Sequence, residues 1–141
     1  MQNNRKIIGI WQQIPLPMIS RFLASMGWEW IILDMQHGCM NPETAYECIQ
    51  TIRAHGGCPL VRTSIGAPAE VQRALDLGAG GVVVPMVNSA AEARIMAEAA
   101  KYPPRGARSV GGDNFYLRTE SISSAPTTIQ SCWCRSNTST R

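Results

Sequence analysis

Polar side chains that could do acid–base chemistry stand where predicted strands end. Asp34 and His37 lie three residues apart in the stretch LDMQHG at 33–38, Arg62 closes the apolar run PLVR at 59–62, and Gln12 follows the run IIGIW at 7–11. A carboxylate at this spacing can hydrogen-bond one nitrogen of the histidine ring and leave the other nitrogen free to act as a base. An arginine on a buried strand needs an anion, which a substrate carboxylate or enolate oxygen could supply.

Each of these residues also has a purely structural interpretation. Asp34 could cap the helix that follows, with His37 as a solvated loop residue, since such pairs are common. Arg62 could form a structural ion pair with Asp34 rather than stabilise charge on a substrate. Spacing alone leaves these alternatives open.

The elements that position these residues form a repeat of strand and helix. Four short apolar runs rich in β-branched residues, without polar alternation, are typical of strands buried on both faces of a parallel sheet. Ser89 with Glu92 forms a capping-box pattern at one helix start, and Gly27 is a C-cap signal at another helix end. The predicted strands are 7–11, 30–33, 59–62 and 81–85, and the predicted helices are 17–26, 41–55, 68–77 and 89–101.

Four consecutive βα units fit either a doubly wound sheet or part of a barrel. A dinucleotide-binding sheet needs a glycine-rich turn after its first strand, whereas Trp11-Gln12-Gln13 stands there. Polar residues at the carboxyl ends of strands favour a barrel. The predicted fold class is therefore α/β: the N-terminal half of a (β/α)8 TIM barrel, in four βα units over residues 1–118, followed by an irregular Ser/Thr-rich tail at 119–141.

Composition narrows the class of protein further. The chain has 141 residues, of which 45% are hydrophobic and 16% charged, as in an ordinary globular domain. No apolar run has the roughly 18 residues of a membrane helix, and no secretory signal is apparent. A net charge of +3 from scattered basic residues does not favour nucleic acid. Five cysteines, an odd number, indicate reduced thiols, so we expect a cytoplasmic protein without nucleic-acid or membrane partners.

Several motifs together resemble one family. In chain order they are GIW at 9–11, LDMQHG at 33–38, LVR at 60–62, LDLGA at 75–79, GVVVPMVN at 81–88 and YPPRGAR at 102–108. This combination resembles the HpcH/HpaI family of class II pyruvate aldolases over residues 5–113. The resemblance implies reversible cleavage of a 4-hydroxy-2-oxo acid to pyruvate and an aldehyde, with Mg²⁺ or Mn²⁺ as cofactor and a homo-oligomer for the full-length family.

The resemblance also implies roles for the strand-end residues. His37 would be the base, acting through a bound water and oriented by Asp34. Arg62 would stabilise the enolate and carbonyl oxygen, and Gln12 with Arg62 would bind substrate. Gln36 stands where the family often has glutamate, which changes the local charge.

The family's metal ligands are a glutamate in a V-Q-I-E motif on the fifth strand and an aspartate on a later strand, and this sequence has neither. Glu120 lies in a segment without strand pattern and is not assigned as a ligand. From Thr119 to Arg141, eleven of 23 residues are Ser or Thr. Codons for residues 129–137 can, in a shifted register, encode P-V-M-L-V-Q-I-E. We therefore expect that the tail is either disordered or the product of a frameshift.

Two functions compete on this sequence. The first is an aldolase by descent, represented by its N-terminal half and expected to be inactive alone. The alternative is a non-catalytic half-barrel or degenerate gene product.

Overall fold

The computed structural model describes residues 7–111 and the backbone of residues 132–134. Four βα units occupy the first segment. The strands are β1 (Gly9–Gln12), β2 (Trp30–Asp34), β3 (Cys58–Arg62) and β4 (Gly81–Val84), followed by a fifth, β5 (Cys132–Cys134). The helices are α1 (Pro17–Ser25), α2 (Pro42–Ala54), α3 (Pro68–Asp76) and α4 (Ala90–Ala99). Each predicted strand and helix of the four units is confirmed.

The strands form one parallel sheet in the order β1-β2-β3-β4-β5. Consecutive parallel strands, each joined to the next by a helix, are the arrangement of a (β/α)8 barrel. The sheet and its helices confirm the predicted fold class, half of such a barrel.

Local sequence accounts for the helix ends. The Asn41 side chain accepts a hydrogen bond of 2.8 Å from the Thr44 backbone N–H and so caps α2. Ser89 and Glu92 form the predicted capping box of α4. After α1 the chain reverses at Gly27, where φ is +83°, a conformation that glycine adopts without a steric penalty.

The hydrophobic core lies between one face of the sheet and the helices. Strand residues such as Ile31, Leu33 and Val61 pack there against α2, α3 and α4 and are fully buried. The register places the alternate residues Trp11, Ile32 and Leu60 side by side on the opposite face of the sheet. That second face is the inner face of the barrel, and its carboxyl edge carries the candidate site.

Strand β5 is a difference from the irregular tail expected from the sequence. Its three residues pair in parallel with β4, in the register Val83↔Trp133. The run Cys-Trp-Cys is too short to show a periodicity, so the sequence pattern did not predict it. The predicted boundary at 118/119 and Glu120 lie outside the described residues. Among the helices of residues 7–111, none is long and apolar enough to cross a membrane.

Candidate active site

The carboxyl ends of β2 and β3 bring Asp34 and Arg62 together. The two residues are partners in the parallel register and close their strands. Nε of Arg62 donates to Oδ1 of Asp34 at 2.8 Å, and Nη2 donates to Oδ2. The carboxylate is fully buried, and the arginine side chain is 12% exposed. The structural ion pair, one of the alternatives left open by the sequence, is therefore present.

The carboxylate of Asp34 is saturated with donors. Besides Arg62, Oδ2 accepts from the indole N–H of Trp11 at 3.0 Å and from Nε2 of Gln13 at 3.1 Å. Oδ1 accepts from the backbone N–H groups of Gln36 and His37 at 3.0 and 3.1 Å. Six hydrogen bonds thus converge on one carboxylate and tie the loop after β1 and the loop after β2 to β3.

These contacts set the protonation state of Asp34. Burial alone would raise its pKa, but the hydrogen bonds from Arg62, Gln13, the His37 backbone and Trp11 together outweigh burial. The pKa of Asp34 is therefore held well below its ordinary value. This group is a permanently charged anchor at neutral pH and is unsuited to act as a base.

The loop after β1 and the loop after β2 also pack closely against each other at Gly38. A Cβ on Gly38 would lie 2.6 Å from the carbonyl oxygen of Asp34 and 2.7 Å from that of Gln13. Real Cβ atoms do not approach so closely, so glycine is required directly after His37.

His37 is positioned by its backbone rather than by its ring. The expected hydrogen bond from its ring to Asp34 is not what the structure shows, because the carboxylate accepts from the His37 backbone N–H. The Asp34 carboxylate fills its acceptor positions with other donors, which explains the difference. Asp34 is also not a helix cap, since Asn41 caps α2. The exposed His37 side chain lines a pocket instead.

That pocket lies at the carboxyl edge of the sheet and has a volume of about 230 Å³. One part of its wall is polar and the rest is apolar. Its lining residues are Trp11, Gln36, His37, Arg62, Val83, Pro85 and Met86. Three donors or acceptors beside an apolar wall can hold a small anionic molecule and exchange a proton with it.

Gln12 is not brought to this pocket. Its side chain is 2% exposed and turns toward the helices. Nε2 donates to the carbonyl oxygens of Ile14 and Leu16, and Oε1 accepts from the hydroxyl of Ser20 at 2.9 Å. Alternation along β1 is the reason, since Trp11 faces the barrel interior and the next residue must face the opposite way. The structure gives Gln12 a role in holding the β1–α1 turn.

Comparison with known proteins identifies the family. The sequence model described as HpcH/HpaI aldolase/citrate lyase matches residues 8–140. The chain belongs to this family. The match reaches into segment 119–141, whose assignment as a non-family tail stays a prediction.

Individual relatives and solved structures show the extent of the likeness. A 4-hydroxy-2-oxo-heptane-1,7-dioate aldolase of Klebsiella pneumoniae subsp. pneumoniae is 35% identical over 111 residues, which are 79% of this chain and 42% of that protein. An HpcH/HpaI aldolase from Desulfitobacterium hafniense DCB-2, known from its crystal structure, is 31% identical in sequence. The match covers 84% of this chain and 46% of the aldolase chain, with a TM-score of 0.74. Citrate synthase SbnG is 29% identical, with a TM-score of 0.71 over 79% and 44% of the two chains. The chain thus spans less than half the length of these relatives.

Sequence reasoning missed part of the pocket wall of this HpcH/HpaI chain. Trp11, Gln36, Val83, Pro85 and Met86 line the pocket and were not assigned to it from the sequence. Side chains alternate between the two faces of a strand, and this alternation was the available signal for Trp11. Trp11 pairs with Ile32, which lies two residues before Asp34 and therefore on the same face of the sheet. Using that signal requires the register between strands, which the sequence does not state.

The described residues do not fit the divalent metal that the family resemblance implies. Among residues 7–111, no group of three or more His, Cys, Asp or Glu side chains could hold a metal ion. The Asp34 carboxylate, which contacts the pocket residues Trp11 and Arg62, already accepts six hydrogen bonds and forms an ion pair. We therefore derive no chemical step through a metal from these residues.

Proposed function

We propose that this chain carries the anion-binding and proton-transfer part of an aldolase site that cleaves a 4-hydroxy-2-oxo acid to pyruvate and an aldehyde. The observation that carries the proposal is the pocket in which Arg62 and His37 stand together at the carboxyl edge of a parallel sheet. Membership of the HpcH/HpaI family supports the reaction class.

Arg62 is suited to bind the 2-oxo acid. Two of the five guanidinium N–H groups are used on Asp34, and no other described residue accepts from the remaining three. These donors lie in the pocket wall, where they can bind the carboxylate of the substrate or the oxygen that becomes the enolate. Asp34 balances the single positive charge of the guanidinium, so what Arg62 offers an anion is its three unused N–H groups, held in a fixed direction by the ion pair.

His37 is suited to move the proton. In the cleavage direction a base accepts the proton of the C4 hydroxyl group, and the C3–C4 bond breaks. Its electron pair forms the enolate across C2 and C3, and C4 leaves as the aldehyde carbonyl. The proton then returns to C3 and yields pyruvate, so that atoms and charge balance. His37 is the one titratable side chain without a charged partner among the described pocket residues, and we assign it this role.

The half-reaction on pyruvate gives a direct test. Pyruvate in D2O exchanges its methyl protons when a base removes a proton from C3, and ¹H NMR measures the loss of the methyl signal. We expect exchange above the buffer rate in an extended chain that carries the family's fifth strand, and its loss in His37→Gln. Arg62→Lys should weaken pyruvate binding, while Glu43→Gln on the exposed start of α2 is the matched control. Equal exchange in His37→Gln and the unsubstituted protein would refute the assignment.

We expect the 141-residue chain itself to release little pyruvate from a 4-hydroxy-2-oxo acid with Mg²⁺ or Mn²⁺. The reason is that its described residues supply an arginine and a histidine without a metal-binding group. Turnover by this chain that is abolished by EDTA and by His37→Ala would contradict the expectation.

The tail also enters this proposal. Strand β5 occupies the position beside β4 that a fifth barrel strand takes, and its three residues lie within the segment whose shifted register can encode P-V-M-L-V-Q-I-E. We propose that a frameshift produced the residues from about 119 onward and removed the ligand glutamate. Resequencing the locus tests this, since an uninterrupted frame identical to the present one would exclude it.

A further inference from the structure

We propose that Trp11 is a positioning residue for Arg62: it fixes the guanidinium in the orientation that presents its unused N–H groups to the pocket. The inference rests on the proposed function for what Arg62 binds, but the positioning itself is a property of this chain.

Two separate contacts connect Trp11 to the ion pair. The guanidinium carbon of Arg62 lies 4.7 Å from the centroid of the Trp11 ring, which is a cation–π distance. The indole N–H of the same residue donates to Oδ2 of Asp34 at 3.0 Å. The ring is therefore anchored at its edge by the carboxylate that binds the arginine, and its face lies against the guanidinium. Rotation of the tryptophan would break both contacts at once.

The same geometry restricts the arginine. Asp34 accepts hydrogen bonds from both Nε and Nη2, and this two-point contact fixes the direction in which the guanidinium points. A bidentate pair alone leaves the guanidinium able to tilt about the line between its two bonds. The Trp11 face blocks this tilt on one side, and Trp11 itself stands in the pocket wall beside Arg62. Trp11 thus sets the angle at which the remaining donors meet a bound anion.

Alternation along β1 explains why this residue is available. Trp11 is 38% exposed on the barrel-facing side, whereas its neighbour Gln12 is buried under α1. A tryptophan that only filled the core would lay its ring face against apolar side chains and pair its N–H with any nearby acceptor. The ring face of Trp11 lies on the guanidinium of Arg62 and its N–H is bonded to the carboxylate of the same ion pair, so its contacts favour a site function over simple packing.

The test measures the hydrogen-exchange rate of the Arg62 Nε–H by ¹H–¹⁵N NMR in the 141-residue chain. The signal of this N–H is assigned by its absence in Arg62→Lys. In the unsubstituted chain this N–H should exchange slowly, because it is held by a buried carboxylate. Trp11→Leu removes the ring face and the N–H, and should accelerate exchange about tenfold. Trp11→Phe keeps a ring face and should give an intermediate rate. Titration of each variant with pyruvate should show weakened binding in the same order.

Trp30→Phe is the matched control. Trp30 shares the barrel-facing side of the sheet but opens β2 at the opposite end from Asp34, four residues or about 13 Å away. It should leave both the exchange rate and pyruvate binding unchanged. Circular dichroism checks that each variant is folded. If Trp11→Leu is not folded, the exchange rate in Trp11→Phe decides whether Trp11 positions Arg62.

The outcomes separate the inference from the proposed function. An Arg62 Nε–H exchange rate within twofold of the unsubstituted value in both Trp11 variants would overturn the positioning role. Equal acceleration by Trp30→Phe would overturn it too, since the effect would then be general loosening. If the unsubstituted chain does not bind pyruvate, the proposed function fails, and the exchange rates still decide whether Trp11 positions Arg62.

Discussion

Replacing Asp34 with asparagine should destabilise the fold severely. The substitution keeps the shape of the side chain but turns one acceptor oxygen into an NH₂ group. Oδ1 accepts from Gln36, His37 and Arg62, and Oδ2 accepts from Trp11, Gln13 and Arg62. Whichever oxygen becomes the nitrogen, three donors then face another donor.

The charge effect adds to the lost acceptors. Asp34 is fully buried and Arg62 is only 12% exposed, so the arginine would be left without its carboxylate where water reaches it poorly. Removing one partner of such a buried pair costs about 3–5 kcal/mol. That is a large share of the roughly 5–15 kcal/mol by which ordinary domains are stable.

Urea unfolding followed by far-UV circular dichroism at pH 7 measures this loss. The exposed substitution Glu43→Gln in the first turn of α2 is the control and should change the free energy of unfolding by less than about 0.5 kcal/mol. The double variant Asp34→Asn/Arg62→Met should lose less stability than the sum of the losses in the two single variants, because it leaves no buried charge without its partner. A loss below about 1 kcal/mol in Asp34→Asn would refute the argument that this carboxylate is the anchor of the site.

Acid provides an independent check on the same group. The folded pKa of Asp34 lies below its unfolded value, so its contribution to stability is complete above about pH 4 and declines as the pH falls further. The unsubstituted chain should lose stability over this pH range. In Asp34→Asn, the part of this loss that comes from protonating Asp34 should be absent. Parallel pH profiles for the two proteins below pH 4 would contradict the assignment.

Three further substitutions test other parts of the described fold by the same unfolding measurement. Ser20→Ala should cost about 1–3 kcal/mol, because it leaves Oε1 of the buried Gln12 without its 2.9 Å donor, and a loss below 0.5 kcal/mol would contradict this role. Asp76→Asn should cost about 2–4 kcal/mol by removing the charge that Nη2 of the buried Arg108 contacts at 2.7 Å, and an unchanged midpoint would show that this pair is not stabilising. Trp28→Phe should change the free energy of unfolding by less than about 1 kcal/mol. Nε1 of Trp28 is buried without a hydrogen-bond partner among the described residues, and phenylalanine removes that donor. A loss of stability above about 2 kcal/mol would contradict this expectation.

The sequence predicted the βα units well because their signals are local. Apolar runs, the Ser89 capping box and glycine at helix ends each act within a few residues, and each is present in the structure. Strand β5 was missed because three residues carry no period, and because its partner β4 is about 50 residues away along the chain.

The site was predicted only in part, because its contacts are not local. Position at a strand end was enough to select Asp34 and Arg62, which lie 28 residues apart and meet through the register of β2 and β3. The same criterion also selected Gln12, which ends β1 but faces the helices. A strand end identifies the correct edge of the sheet, whereas the register between strands decides which face each side chain occupies.

The short separation of Asp34 and His37 led the prediction toward the wrong partner for the carboxylate. Proximity in sequence made the His37 ring the obvious choice, yet the structure gives the carboxylate to Arg62, Trp11 and Gln13 on neighbouring strands and loops. A buried carboxylate gains most from a charged donor, because the guanidinium offsets the cost of removing the charge from water. Once Arg62 is within reach it outcompetes the His37 ring for the carboxylate, and the histidine is left exposed in the pocket. The division of work proposed for the site follows from that competition: Asp34 holds Arg62 so that its remaining N–H groups can meet an anion, and the His37 ring is left in the pocket for the proton transfer proposed for it.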